Sequence, residues 1–369
     1  MPALTQIQPR FRDTSAEEAW KTQLQKAVRT LSAIEAMFSL SDDEKRGLSR
    51  VANGGMLPFQ ITPHYLSLIN SDDPDDPLRR QLFPLAQEFQ ADPWMKGDPL
   101  GEEDLEAVPF LVHRYPDRVL LLVTDRCASY CRFCTRKRMV GQGPTPKKEE
   151  LSKALQYIAE HPEIREVIFS GGDALTLDDQ RLEKLFIQLR EMPHIQIIRI
   201  ATRMLSFAPM RITDNLIRLF QAHQPVYILS HFNHLNEVGS NTEQAILKLV
   251  NAGVPVLNQT VLLKGVNDDV QTLSELFRKL TCLRARPYYL HQCDLAHGTA
   301  HFRVPLEEAQ DLVEKMRGQL SGLCQPTFVI DIPGGHGKVP MFPSPVTGQD
   351  DKRLILKGFK GTSAPYPLR

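Results

Sequence analysis

Three thiols, Cys127, Cys131 and Cys134, stand in CxxxCxxC spacing directly after the apolar run 119–123, so half of the six cysteines fall within eight residues. Three are one short of an all-thiolate structural zinc site, and no fourth Cys or His lies nearby at paired-ligand spacing. Thiolates are the natural holders of iron–sulfur clusters, and a [4Fe-4S] cluster held by three of them leaves one iron open to an external ligand. Cys282, Cys293 and Cys324 stand alone. With no signal-peptide pattern at the N-terminus, the protein is expected in the cytoplasm, where clustered thiols point to metal or redox chemistry rather than disulfides.

Other stretches could carry chemistry. In Ser170-Gly171-Gly172-Asp173 the small residues would let backbone groups approach a ligand closely, although an ordinary strand-to-helix turn reads the same way. Lys338 follows the glycine-rich Pro333-Gly334-Gly335-His336-Gly337. This is not a Walker loop, which needs Gly where Ile332 stands and Ser or Thr where Val339 stands. A lysine there is otherwise a solvated surface residue, as is the basic run Arg136-Lys137-Arg138.

The elements that must position these residues alternate. From Arg118 onward, β-rich runs at 119–124, 166–170, 195–202, 226–232, 255–263, 286–293 and 327–332 are separated by six helix-period segments. Six crossovers between seven strands predict a parallel sheet, either a full or partial barrel or an open doubly wound sheet, with functional residues at the strands' carboxyl ends. Cys127, Asp173, Gln259, Asp294 and Asp331 all lie within, at or just past such ends. The first hundred residues read as helical: a capping box at Ser15-Ala16-Glu17-Glu18 opening one long amphipathic helix through Ile34, then starts at Ser41 and at Thr62-Pro63. The chain thus divides into a helical region 1–106, a barrel 107–348 and a C-terminal tail 349–369.

Lys plus Arg equals Asp plus Glu at 44 each, so no net field recruits nucleic acid or an anionic membrane. No apolar run approaches the ~20 residues of a membrane span. A small molecule gripped by local groups is the expected partner.

CxxxCxxC with Phe133 before the last cysteine closely resembles the signature of the radical S-adenosylmethionine (SAM) enzymes. A wider set, His113-Arg114-Tyr115-Pro116-Asp117-Arg118, Cys134-Thr135-Arg136-Lys137-Arg138, His231-Phe232-Asn233-His234, Arg286-Pro287-Tyr288-Tyr289, Gln292-Cys293-Asp294 and Pro333-Gly334-Gly335, is similar to the lysine 2,3-aminomutase family from about Asp98 to Gln349. The resemblance implies a partial (β/α)6 barrel and three cofactors: a [4Fe-4S] cluster on Cys127, Cys131 and Cys134, SAM near Phe133, Ser170, Gly171, Gly172, Asp173 and Gln259, and pyridoxal 5′-phosphate in a Schiff base on Lys338 with its phosphate at Arg114 and Arg118. It implies that Arg136 clamps the substrate carboxylate and that Asp294 and Asp331 hold a distal ammonium. The reaction implied is a 1,2-shift of the α-amino group of L-lysine to give β-lysine, with an external electron donor and a homo-oligomeric enzyme.

Other readings compete. Two aspartates would bind the guanidinium of arginine as readily, β-lysine could serve elongation factor P modification, and a non-catalytic iron–sulfur or zinc protein would need no Lys338. The family's extra cysteines, one in the segment 265–268 and more in a longer C-terminal extension, are absent, which argues against an intersubunit zinc site.

Overall fold

The protein is described here from a computed structural model covering residues 14–54 and 57–368, without the side chains of 14–17. Among the described residues five α-helices precede the sheet: α1 (Thr14–Gln25), α2 (Leu31–Glu35), α3 (Asp42–Ala52), α4 (Pro63–Leu66) and α5 (Pro77–Leu82). The single long helix expected through Ile34 is two helices. At the break, the β-branched Val28 exchanges backbone hydrogen bonds with Ile61 at 2.8 and 3.0 Å, and Thr30 caps α2 from an extended backbone. The reciprocal side-chain bonds expected at Ser15 lie outside the described residues.

The Ser41 start is present as a full capping box, and Glu44 does more than cap. Its buried carboxylate also receives Arg79 Nε and Nη2 at 2.7 and 2.8 Å, tying α3 to α5 through a fully buried guanidinium. Such a pair is costly to break from one side, because the remaining charge has no water to turn to.

Three antiparallel strands open the sheet: β1 (Glu106–Val108), β2 (Leu111–Tyr115) and β3 (Arg118–Thr124). Then strands and helices alternate: α6 (Lys148–Glu160), β4 (Glu166–Gly171), α7 (Asp179–Arg190), β5 (Ile197–Thr202), the short α8 (Met204–Phe207), α9 (Asp214–Ala222), β6 (Val226–Ser230), α10 (Ser240–Asn251), β7 (Val256–Leu262), α11 (Val270–Cys282), β8 (Ala285–Gln292), α12 (Leu306–Met316), β9 (Thr327–Ile332) and β10 (Gly337–Pro340). β3 to β9 are seven parallel neighbours in chain order, and β10 returns antiparallel on β9. Among the described residues β1 and β10 end the sheet and do not pair with each other, so this is a partial barrel of six β/α units, as the resemblance implied.

Strand periodicity positions the site. Ile168 and Ser170, Arg199 and Ala201, Leu229 and His231, Gln259 and Val261, Tyr289 and His291 line one central cavity, every second residue of successive strands. Their neighbours Val167, Phe169, Ile198, Ile200, Ile228 and Leu290 are fully buried in the main core.

The stretch expected as a tail is a three-stranded antiparallel sheet, β11 (Val346–Gln349), β12 (Arg353–Lys357) and β13 (Ser363–Pro367), and the expected boundary at 348 falls inside β11. Its strands are short and largely exposed, so little apolar alternation marks them in the sequence. No helix among the described residues is long and apolar enough to cross a membrane.

Candidate active site

The cysteine loop leaves β3 at Thr124 and is clamped by the helical region. Gln60 Nε2 donates to the carbonyls of Cys127 and Ala128, both at 2.9 Å, Gln60 O accepts Tyr130 N at 3.0 Å, and Gln81 O accepts Arg132 N at 2.9 Å. Arg132 is buried within the loop on Glu88, with Nη2 to Oε2 at 2.7 Å. Gln60, Gln81 and Glu88 of the helical region thus shape the loop. Cys127, Cys131 and Cys134 are free thiols that line the central cavity, whose volume is about 610 Å³.

Burial raises all three thiols, while the Arg203 guanidinium pulls Cys131 the other way with Nη1 2.9 Å from Sγ. Among the described residues no group of three or more His, Cys, Asp or Glu converges on a single ion position. A [4Fe-4S] cluster takes one thiolate on each of three irons rather than three on a single ion, and these three thiols line the same cavity.

The turn after β4 packs tightly against the cysteine loop. A Cβ on Gly172 would stand 2.2 Å from Arg126 O, and one on Gly171, at φ 104°, 2.3 Å from Thr124 O. The glycines therefore serve a protein–protein approach. Asp173, which the resemblance places near SAM, is buried with its carboxylate already committed: it accepts Leu175 N at 3.0 Å, Thr202 Oγ1 at 2.7 Å and Arg203 N at 2.6 Å. It organises the ends of β4 and β5. Phe133 is buried against His231 and Phe302, and Gln259 faces the cavity from β7.

Across the cavity, the β9–β10 hairpin pairs Lys338 directly with Asp331, and Nζ reaches the two carboxylate oxygens at 2.8 and 2.7 Å. Gly334 and Gly335 turn the hairpin at φ 87° and 86°, a region closed to most side chains. Burial alone would raise Asp331, but His291, with Nδ1 at 3.6 Å, and the Lys338 ammonium hold it well below the usual carboxylate range. Asp294, just beyond β8, is pushed up to about 7 by burial and by the Asp331 charge it faces. A pair of titratable groups driven apart in this way is typical of functional sites.

Arg136 makes a two-pronged pair with Glu102 and donates from Nη1 to Ser170 Oγ at 3.1 Å. Arg114 on β2 lies 3.6 Å from Asp331 and gives Nη2 to Leu100 O at 2.6 Å, while its buried Nε has no hydrogen-bond partner. Arg118 lies over the Tyr115 ring at 3.9 Å.

Every candidate site residue from the sequence lines this one cavity: Lys338, Arg114, Arg118, Arg136, Asp294 and Asp331, and the three cysteines, Phe133, Ser170, Gly171, Gly172, Asp173 and Gln259; Arg136, bonded to Ser170, joins the two sets. Sequence reasoning missed Glu102, Arg199, Arg203 and His291, which line it too. No local pattern marks any of these four.

The Radical SAM superfamily profile matches residues 121–277, and the Lysine-2,3-aminomutase profile matches 313–368. The L-lysine 2,3-aminomutase of Clostridium subterminale is 43% identical over 359 residues, 96% of this chain and 86% of that protein. That of Bacillus subtilis (strain 168) is 44% identical over 349 residues, 94% of this chain and 74% of that protein. The glutamate 2,3-aminomutase of Clostridioides difficile (strain 630) is 37% identical over 349 residues, 94% and 82% of the two. With relatives this similar along nearly its whole length, the chain belongs to the lysine 2,3-aminomutase family of the radical SAM superfamily.

Proposed function

We infer that this chain is an isomerase that moves the α-amino group of L-lysine to the adjacent carbon, giving β-lysine. One observation carries the choice of substrate: Asp294 and Asp331 share the cavity of Lys338 and Arg136. Two carboxylates facing one distal ammonium attract it with several kcal/mol at an effective dielectric of ~20, before desolvation is subtracted. They would repel the side-chain carboxylate of glutamate, the amino acid named for the Clostridioides difficile relative.

The residues present fit the family's cofactors. Three thiols in one loop lining the cavity suit a [4Fe-4S] cluster, with SAM beside Phe133, Ser170, Gly171, Gly172, Asp173 and Gln259; given its committed carboxylate, Asp173 would act there through its backbone. Lys338 suits pyridoxal 5′-phosphate, and the unpartnered Nε of Arg114, with Arg118 nearby, suits its phosphate. When bound, the cluster and SAM supply a hydrogen-abstracting radical, and pyridoxal phosphate carries the migrating nitrogen.

The chain's own groups do the rest. Arg136 receives the substrate carboxylate through a charge-assisted pair. Asp331 holds the Lys338 ammonium in this structure and would receive the distal ammonium of the substrate when that binds. Asp294 completes that pocket, and the described residues of the helical region 1–106, which clamp the cysteine loop, keep water from the barrel of 107–348. The reading includes an external electron donor for the cluster and a homo-oligomer in the cytoplasm, where six free thiols would stay reduced.

The test is anaerobic incubation of protein reconstituted with cluster, SAM and pyridoxal phosphate, plus a reductant, against L-lysine, L-arginine and L-glutamate in parallel. The reading expects β-lysine as the dominant product. Faster turnover of arginine or glutamate would reassign the substrate.

A further inference from the structure

Arg136 is gripped along one edge only. Glu102 takes Nε at 2.9 and 3.2 Å and Nη2 at 2.6 Å, the side edge of the guanidinium, while Nη1 reaches Ser170 Oγ at 3.1 Å. A guanidinium has five N–H donors in a rigid fork, so Nη1 and Nη2 each keep a hydrogen for a second acceptor.

Glu102 is itself fixed in place. It is 3% exposed and sits on a segment pinned to the site at neighbouring residues. Leu100 O accepts Arg114 Nη2 at 2.6 Å, and Pro99 O accepts Gly334 N at 3.1 Å. Gly101, at φ 60°, lies so near the lysine hairpin that a Cβ would stand 2.7 Å from the Gly334 carbonyl carbon. Burial would raise the Glu102 carboxyl, but Arg136, with Arg138 Nη2 3.4 Å from Oε2, holds it ionised below its ordinary range.

We propose that Glu102 is a positioning residue for the substrate carboxylate: by holding the side edge of Arg136, it turns the remaining Nη1 and Nη2 donors toward the amino acid in the cavity. The proposal rests on the reading that Arg136 receives that carboxylate. A long side chain with a free guanidinium must lose rotamer freedom on binding, and one already held by Glu102 has lost it beforehand.

The test uses pyridoxal-loaded protein and calorimetric binding of two ligands, L-lysine and 1,5-diaminopentane, the same carbon chain without the carboxylate. Glu102→Gln is expected to weaken lysine by about tenfold or more, on the scale of a charge-assisted bond. It leaves diaminopentane within about twofold, raises KM for lysine with kcat little changed, and adds little when combined with Arg136→Lys. Glu102→Asp, which keeps the carboxylate, retains more lysine affinity than Glu102→Gln. Equal weakening of both ligands would mean general damage to the site and would overturn the proposal. So would unchanged lysine affinity in Glu102→Gln beside weakened affinity in Arg136→Lys. If Arg136→Lys also leaves lysine binding unchanged, the carboxylate reading of Arg136 has failed, and the proposal falls with it.

Discussion

Lys338 and Asp331 are direct cross-strand partners, and the lysine ammonium rests between the two carboxylate oxygens at 2.7 and 2.8 Å. The same aspartate faces Asp294 across the pocket assigned to the distal ammonium of the substrate. On the proposed reading this one carboxylate serves two amines: the Lys338 ammonium it holds in this structure, and the distal ammonium of the substrate once that binds.

Asp331→Asn tests this sharing. For lysine, kcat/KM is expected to fall roughly ten- to a hundredfold, about 1.5–3 kcal/mol for a hydrogen bond to a charged group. Turnover of 2-aminohexanoate, which lacks the distal amine, changes far less, so the ratio of the two rates reads the pocket directly. Equal losses on both substrates would remove Asp331 from ammonium recognition.

The pH dependence of lysine binding follows from Asp294, pushed up to about 7 by burial and by Asp331, with Lys338 and Arg114 pulling it down and Glu102 adding to the rise. The distal ammonium stays protonated up to about pH 10. Below pH 7 Asp294 takes a proton and one of the two facing charges is lost. The KM for lysine then rises by up to about tenfold per pH unit and is flat above 7. In Asp294→Asn that slope disappears, which a KM profile across this range measures.

Stability moves the opposite way with the same carboxyl. Its folded pKa lies above the ordinary 3.8, so the native chain holds the extra proton between 3.8 and about 7 and loses stability as pH rises through that window. Denaturant titrations are expected to show Asp294→Asn gaining on wild type as pH rises from about 4 to about 7, with the gain constant above that.

The two cofactor stations separate genetically. Lys338→Ala loses the pyridoxal absorbance near the visible edge and keeps the broad iron–sulfur band, and Cys131→Ala does the reverse. Loss of both bands in both variants would mean misfolding and withdraw support from either assignment.

Glu88→Ala probes the clamp on the cysteine loop. Glu88 and Arg132 are each about 1% exposed, and Arg132 lies between Cys131 and Phe133. Removing the acid leaves a buried guanidinium without its counter-charge, a loss of about 3–5 kcal/mol. A lower melting temperature and reduced iron content per chain are the expected readouts; an unchanged iron content would mean that the cluster loop stands without this anchor.

Much of this site was legible in the sequence, because cofactor chemistry uses rare residue types at short spacing. Cys127, Cys131 and Cys134 announce themselves, and the β/α alternation from Arg118 onward predicts where strand ends gather. Glu102 is different: in Gly101-Glu102-Glu103-Asp104 it reads as one of a solvated acidic run. Only the approach of that segment to the lysine hairpin buries it on Arg136. Arg203 follows Thr202 with no pattern to mark it, yet it reaches Cys131 from 72 residues away. The break between α1 and α2 was hidden for another reason. Leu24, Val28, Leu31 and Ile34 all pack on the main core on either side of it, so helical spacing runs on through a backbone that does not.

The account stands or falls on intramolecular migration of the lysine nitrogen. Anaerobic reaction of the reconstituted protein with L-lysine labelled with nitrogen-15 at the α-amino group, followed by mass spectrometry of the product, measures it. The expected result is β-lysine that keeps the label on its third carbon. No isomerised amino acid despite bound cluster, SAM and pyridoxal phosphate, or β-lysine whose label has been lost to solvent, would contradict it.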